Sequence, residues 1–147
     1  MSLIKLIYYP NKILKKKSNS INKIDYKIKN IIHNMFKIMY KKNGIGLAAP
    51  QIGINKRFFI VHNFKNINKK LIFINPKILK KKGKIYFKEG CLSIPKKFFV
   101  IKRYSYVKIL AMNIKGNYFE FETNDILSIC IQHEIDHLNG KLIIDYS

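Results

Sequence analysis

At 147 residues with 48% hydrophobic content, the chain is expected to make one domain, spanning 1–147, with its own buried core. Two cysteines argue against a disulfide framework and for a reducing compartment, and no stretch, the N-terminal Met1 to Pro10 included, is apolar for long enough to act as a signal peptide or cross a membrane, so the expected location is cytoplasmic. A net charge of +21 raises the question of nucleic acid, but Lys, Ile and Asn are abundant throughout, Lys15 to Lys17 and Lys80 to Lys82 included, which reads as A+T-biased coding and not as a dedicated binding footprint.

In chain order, the first element is a helix from Asp25 to about Lys41: Ile28, Ile31, Ile32, Met35, Ile38 and Met39 recur at helical spacing and end before Asn43-Gly44. Gly44 to Gly53 follows, rich in glycine and small residues that let backbone approach a ligand. In it Gln51 can donate a hydrogen bond to a developing oxyanion, although such loops are usually only turns and this one lacks the lysine of a phosphate-binding loop. Strands are expected at about 57–62 and 71–75 around a polar Asn63 to Lys70 loop, then at about 84–88, 98–102, 105–113 and 117–122, with Gly116-Asn117 turning the last pair. Between two of them, Glu89-Gly90-Cys91-Leu92-Ser93-Ile94-Pro95 is a compact turn carrying an acid, a flexible glycine and a thiol. A last helix covers about 124–139, with cap oxygens offered by Thr123, Asn124 and Asp125 and a left-handed stop at Asn139-Gly140.

That helix carries His133-Glu134-Ile135-Asp136-His137. Two imidazoles four residues apart point the same way and can grip one metal ion, with the glutamate beside the metal's water. The competing reading is a solvated helix with surface histidines. Against it, Ile126, Ile129, Cys130, His133 and His137 follow at spacings of three and four, so the histidines continue an apolar face. A third ligand is needed, with a fourth position left to water or substrate. Beyond His137 there is no His or Glu, and Asp145 is the only acid. Upstream stand His33 in a surface helix, His62 at a strand end, Glu89 and Cys91; a Cys91 thiolate with two imidazoles suits zinc or ferrous iron. A basic RNA-binding protein with a closed structural site would need four protein ligands, and the chain offers three convincing ones, even though Tyr104-Ser105-Tyr106-Val107-Lys108 and Lys96-Lys97-Phe98-Phe99 interleave aromatic and basic residues. The expected architecture is α+β: short, mainly antiparallel sheets around a central metal-bearing helix.

Together, Gly44-Ile45-Gly46-Leu47-Ala48-Ala49-Pro50-Gln51, Glu89-Gly90-Cys91-Leu92-Ser93 and Gln132-His133-Glu134-Ile135-Asp136-His137 resemble the three motifs of the peptide deformylases, in the same order. The similarity runs from Met1 to about Tyr146, with Tyr9-Pro10 and the Met35 to Tyr40 helix also fitting. The resemblance implies hydrolysis of the formyl group from formyl-Met nascent peptides in a bacterium or a bacterium-derived compartment. It implies Cys91, His133 and His137 as ligands of one ferrous ion, with zinc, nickel or cobalt suiting the same donors. Glu134 would be general acid and base, and Gln51 with the Leu92 amide would polarise the formyl oxygen. Ile45 and Gly46 would align the peptide as an added strand, and Glu89 would pair with Arg103 to brace the Cys91 turn. Ile126, Ile129 and Cys130, with Ile45 and Phe87, would wall an apolar slot for the unbranched methionine side chain, a role compatible with plain core packing.

Two departures accompany the resemblance. The chain stops at Asp145-Tyr146-Ser147, where many bacterial relatives continue into a basic C-terminal helix implicated in ribosome docking; the lysine coat is expected to give only weak, salt-sensitive ribosome association. The stretch Lys96 to Lys102 is unusually basic and aromatic, so contacts to the peptide beyond methionine are expected to differ.

Overall fold

Asp25 accepts a hydrogen bond from the Ile28 amide at 3.0 Å and so caps helix α1 (Tyr26–Lys41), as the sequence periodicity predicts. In this computed structural model, which describes residues 4–67 and 70–147, α1 buries Ile28, Ile32, Met35, Phe36 and Met39. The expected similarity at Met1 to Leu3, and Asn68 and Lys69 of the expected 63–70 loop, lie outside the described residues.

Among the described residues seven strands follow from α1 onward: β1 (Gly46–Ala48), β2 (Phe58–His62), β3 (Lys70–Lys82), β4 (Ile85–Cys91), β5 (Ile94–Arg103), β6 (Tyr106–Met112) and β7 (Tyr118–Asn124). Five form a sheet in the order β1-β2-β3-β6-β7, β4 and β5 form a separate hairpin, and these strands pair antiparallel; outside them, Asn19 and Lys56 form a single parallel bridge. With α1 and a second helix, α2 (Asp125–Leu138), this makes the expected α+β fold with antiparallel sheets.

The strands differ from expectation in instructive ways. β3 does not end at residue 75: its register with β6 shifts between Ile74 and Lys77, and this irregularity accommodates Pro76, which has no N–H to give a regular ladder. At the same point Asn75 both accepts from the Ile21 amide, at 2.8 Å, and donates to the Ile21 carbonyl, at 2.7 Å, tying the N-terminal segment to the sheet. β5 begins at Ile94, earlier than the expected 98. β1 is an element the sequence does not predict, since three residues are too short for an alternation to be read. The β6–β7 connection covers 113–117, where Asn113 Oδ1 accepts from the Lys115 and Asn117 amides, so it is longer than a two-residue turn at Gly116-Asn117.

α2 is apolar on two sides, of which only one was read from the sequence. Leu127, Ile131, Ile135 and Leu138 pack on Phe59, Phe73, Val107 and Ile109 of the sheet, while Ile129, Cys130, His133 and Glu134 turn toward the β4–β5 hairpin. The α1 core fills the region around Leu47, Phe58, Ile60 and Ile74, and a third cluster of Leu14, Ile94, Ile101, Leu142 and Ile143 anchors the hairpin to the C-terminal turn. α2 starts without the expected side-chain cap: Asn124 makes none, and its Oδ1 accepts from Lys65 Nζ at 2.9 Å. It stops as expected. Gly140 has φ 72°, and a Cβ there would meet the Lys15 carbonyl oxygen at 2.3 Å.

Candidate active site

The hairpin and α2 bring three donor atoms together. β4 loses register with β5 between Glu89 and Cys91, and Cys91 ends the strand with its Sγ 3.4 Å from His137 Nε2. His137 Nε2 is 3.2 Å from His133 Nε2, and the three donor atoms lie within 4.8 Å of one another. Bond lengths of ~2.05 Å to nitrogen and ~2.3 Å to sulfur place tetrahedral donors about 3.3 Å (N to N) and 3.6 Å (N to S) apart, so these spacings fit one ion. Cys91, His133 and His137 therefore form a metal-binding cluster. The other candidates lie elsewhere or are engaged: His33 is exposed on α1, His62 Nδ1 shares a hydrogen bond with Tyr40 OH at 2.9 Å, and Asp145 takes Lys15 and the Leu142 amide.

The histidines are oriented by buried partners. His133 donates from Nδ1 to Glu89 Oε1 at 3.0 Å, which leaves Nε2 for the cluster. Arg103 grips Glu89 with a two-pronged contact, Nε to Oε2 and an NH2 nitrogen to Oε1, each at 2.7 Å. Burial would raise the Glu89 carboxyl, but Arg103 and His133 outweigh it and hold it below the usual carboxylate range. The remaining Arg103 nitrogen reaches Asp136, which also accepts from Tyr146 OH at 2.6 Å. Asp136 and Tyr146 thus extend a brace that the sequence reading drew only from Glu89 to Arg103. The available signal was stoichiometric: a buried guanidinium has more donors than one carboxylate satisfies. Gln132, whose motif alone assigns it no role, makes a second brace. Its side chain accepts from the Tyr104 amide at 3.0 Å and donates to the Tyr104 carbonyl at 2.7 Å, pinning the end of β5 against α2.

Burial disfavours charge on both imidazoles. Cys91 and Glu89 overcome it at His133 and hold that ring well above its ordinary value, whereas His137 is pushed well below. Glu134 sits on the same helix, and burial pushes its carboxyl up to about 7. Its Oε1 is buried with no hydrogen-bond partner, and so is His137 Nδ1. Opposite Glu134, β1 carries Gly46, whose missing Cβ leaves room for the carboxylate.

Gln51 is 1% exposed on the 3-10 turn Ala49–Ile52. The Ala48 amide donates to its Oε1 at 3.0 Å, which turns its amide nitrogen toward Ser93 Oγ at 3.1 Å and Cys91 Sγ at 3.7 Å. A cavity of about 490 Å³ opens over these groups, walled by Ile45, Phe87, Leu92, Ile129 and Cys130. Of the expected apolar wall, Ile126, a turn before Ile129 on α2, is not among the residues that line the cavity. Burial, with Glu134 nearby, pushes the Cys130 thiol up to about 12, so that group is neutral.

Beyond the site, similarity covers nearly the whole chain: the sequence profile for polypeptide deformylase matches residues 3–147. The chain belongs to the polypeptide deformylase family. It is 52% identical over 147 residues to a peptide deformylase of Buchnera aphidicola subsp. Cinara cedri, covering 99% of each chain, and 50% identical over 146 residues to that of Buchnera aphidicola subsp. Schizaphis graminum, covering 99% of this chain and 87% of the relative. The crystal structure of a peptide deformylase from Legionella pneumophila superposes with a TM-score of 0.95 at 35% identity, over 99% of this chain and 86% of the other. As a family member with this cluster, the chain is a metal-dependent hydrolase that removes the N-terminal formyl group from formyl-methionine of newly made polypeptides and releases formate. Among the described residues, no helix is long and apolar enough to cross a membrane.

Proposed function

We propose that residues 1–147 act as one catalytic domain built around α2, the metal-bearing helix, and that this chain's own side chains divide the deformylation as follows. Cys91, His133 and His137 hold a ferrous ion, whose preference for a mixed thiolate and imidazole set zinc, nickel and cobalt share. When bound, such an ion supplies Lewis acidity toward water and a carbonyl oxygen.

Glu134 takes a proton from the attacking water as its oxygen adds to the formyl carbon. The oxyanion of the tetrahedral adduct is met by Gln51 Nε2 and the Leu92 amide, donors whose loss individually costs on the order of 100- to 1000-fold in turnover. Glu134 then returns the proton to the departing nitrogen, the C–N bond breaks, and formate and a free N-terminus leave. The near-neutral carboxyl suits both halves of that exchange.

Binding follows from the edge of the sheet. Among the described residues β1 pairs with β2 and with no other strand; the Ile45 carbonyl accepts from the His62 amide on that side, and the opposite edge, at Gly46, borders the cavity where an extended peptide can add as a strand beside Ile45 and Gly46. Ile45, Phe87, Ile129 and Cys130 then receive the methionine side chain. Lys96 and Lys97, also on the cavity rim, meet residues further along. The enzyme works in the cytoplasm of a bacterium or in a compartment derived from one, with weak, salt-sensitive association to ribosomes.

The observation that carries the reading is the buried, unpartnered Glu134 carboxylate oxygen beside three converging metal donors. Anaerobic purification followed by metal analysis and formate release from a formyl-Met peptide tests it. About one ferrous ion per chain with formate release is expected, whereas a fully iron-loaded protein that releases no formate contradicts the assigned roles.

A further inference from the structure

On α2, the residues facing the peptide cavity (Ile129, Cys130, His133, Glu134) and those facing a second hollow (Gln132, Ile135, Asp136) fall on different sides of the helix. The second hollow, about 640 Å³, is lined by Lys81, Lys84, Lys102 and Lys141 together with the rings of Tyr104 and Tyr146. Its one lining carboxylate, Asp136, is already held by Arg103 and Tyr146. All four lysines are exposed, and none ion-pairs among the described residues, where the only lysine pairs are Lys15 with Asp145 and Lys108 with Glu120. An adjoining hollow of about 460 Å³ shares Ile78 and Lys81 and adds Lys80, Lys82 and Tyr106.

Lysine and tyrosine alternate along this groove. Lys81 Nζ lies 5.0 Å from the Tyr104 ring centre, Lys82 Nζ 4.8 Å from Tyr106 and Lys141 Nζ 4.1 Å from Tyr146. Lysines on β3 alone would be explained by protection of the strand's edge. Lys84, Lys102 and Lys141 come from three other places in the chain, and edge protection does not require them to converge on one concavity. Cations gathered around a concave surface focus their field on a negative ligand. Interleaved rings add what a bare phosphate or an acidic peptide does not use: faces on which bases stack.

We propose that this groove docks single-stranded RNA, its lysines on the phosphates and Tyr104 and Tyr106 available to the bases. The proposal rests on the reading above, of an enzyme acting on newly made chains, only in taking ribosomal RNA as the source. It replaces the diffuse coat expected from the sequence with one localised surface, away from the peptide cavity.

The test uses the iron-loaded full chain and a short labelled single-stranded RNA of mixed sequence, titrated across a range of salt. One variant combines Lys81→Gln, Lys84→Gln, Lys102→Gln and Lys141→Gln; a control removes the same charge from the α1 side, with Lys27→Gln, Lys29→Gln, Lys37→Gln and Lys42→Gln. The groove variant is expected to lose at least about 10-fold in affinity at low salt and to flatten the slope of log K against log salt by about 3, from ~0.7 per phosphate contact. The control should keep the parent slope, and Tyr104→Leu should lose about fivefold or more. Formate release from a free formyl-Met peptide should be unchanged in all of them. Equal losses in groove and control variants, or parent-like RNA binding by the groove variant, would overturn the proposal, as would tighter binding to phosphatidylglycerol vesicles than to RNA at equal phosphate. Absent formate release with the groove effects intact would count against the catalytic reading and leave this one standing.

Discussion

A Cβ on Gly46 would lie 2.5 Å from Glu134 Oε2, so the backbone of β1 and the carboxylate of α2 occupy neighbouring space that only glycine leaves open. Gly46→Ala should push that carboxylate aside. Turnover is expected to fall by about 100-fold or more, the usual contribution of a positioned acid-base group, with metal content unchanged. Formate release beside metal analysis checks it; parent-like turnover in a folded variant would show that Glu134 tolerates displacement.

Arg103→Lys tests the brace behind His133. Lysine cannot reproduce the two-pronged grip on Glu89 while also reaching Asp136. Losing a charge-assisted hydrogen bond of a buried group costs about 1.5 to 3 kcal/mol, which for a chain of this size lowers the melting temperature by roughly 5 to 10 °C. Because Glu89 orients His133, metal affinity should also drop about 10- to 100-fold in a chelator competition. A melting loss with unaltered metal affinity would make the brace purely structural.

Much of this site was legible because its chemistry is carried by contiguous motifs. The two histidines, Glu134 and Cys91 each sit in a short segment whose residue types have few other uses together, and α1 repeats its apolar residues with a clear helical period. What stayed hidden depends on contacts between distant segments. Arg103 meets Asp136 and Tyr146 only because β5 ends against the last turns of α2, and no spacing in the chain encodes that. α2 buries residues on two sides, so its pattern yielded one face and concealed Leu127, Ile131, Ile135 and Leu138. Ile126 was drawn into the pocket wall by helical spacing alone, which gives a direction and no depth. The cap oxygens at Thr123 to Asp125 were offered by composition, yet Asn124 turned to Lys65 instead. The lysines of the second groove are scattered from residue 81 to 141, and only the fold collects them.

Cys91→Ser replaces a soft sulfur donor with a hard hydroxyl oxygen at the end of β4. The variant should fold and lose its ion to a chelator far more readily than the parent. Identical metal content and affinity would move the third ligand elsewhere.

Ile129→Trp fills the cavity from the α2 side, where Ile129 is 3% exposed and borders the lining. Metal should remain bound, while kcat/KM for formyl-Met peptides falls by about 10-fold or more, since the indole takes up volume that the methionine side chain needs. Unchanged kinetics in a folded variant would reassign the methionine slot.

The central claim is that Glu134 moves the proton in deformylation while Cys91, His133 and His137 hold the ion. Glu134→Gln separates those tasks, because the amide keeps the shape of the side chain and cannot accept a proton. With iron content and formate release measured on the same anaerobically purified sample, the account predicts full metal occupancy and a loss of turnover of about 100-fold or more. Near-parental formate release from a fully metallated Glu134→Gln protein would contradict it.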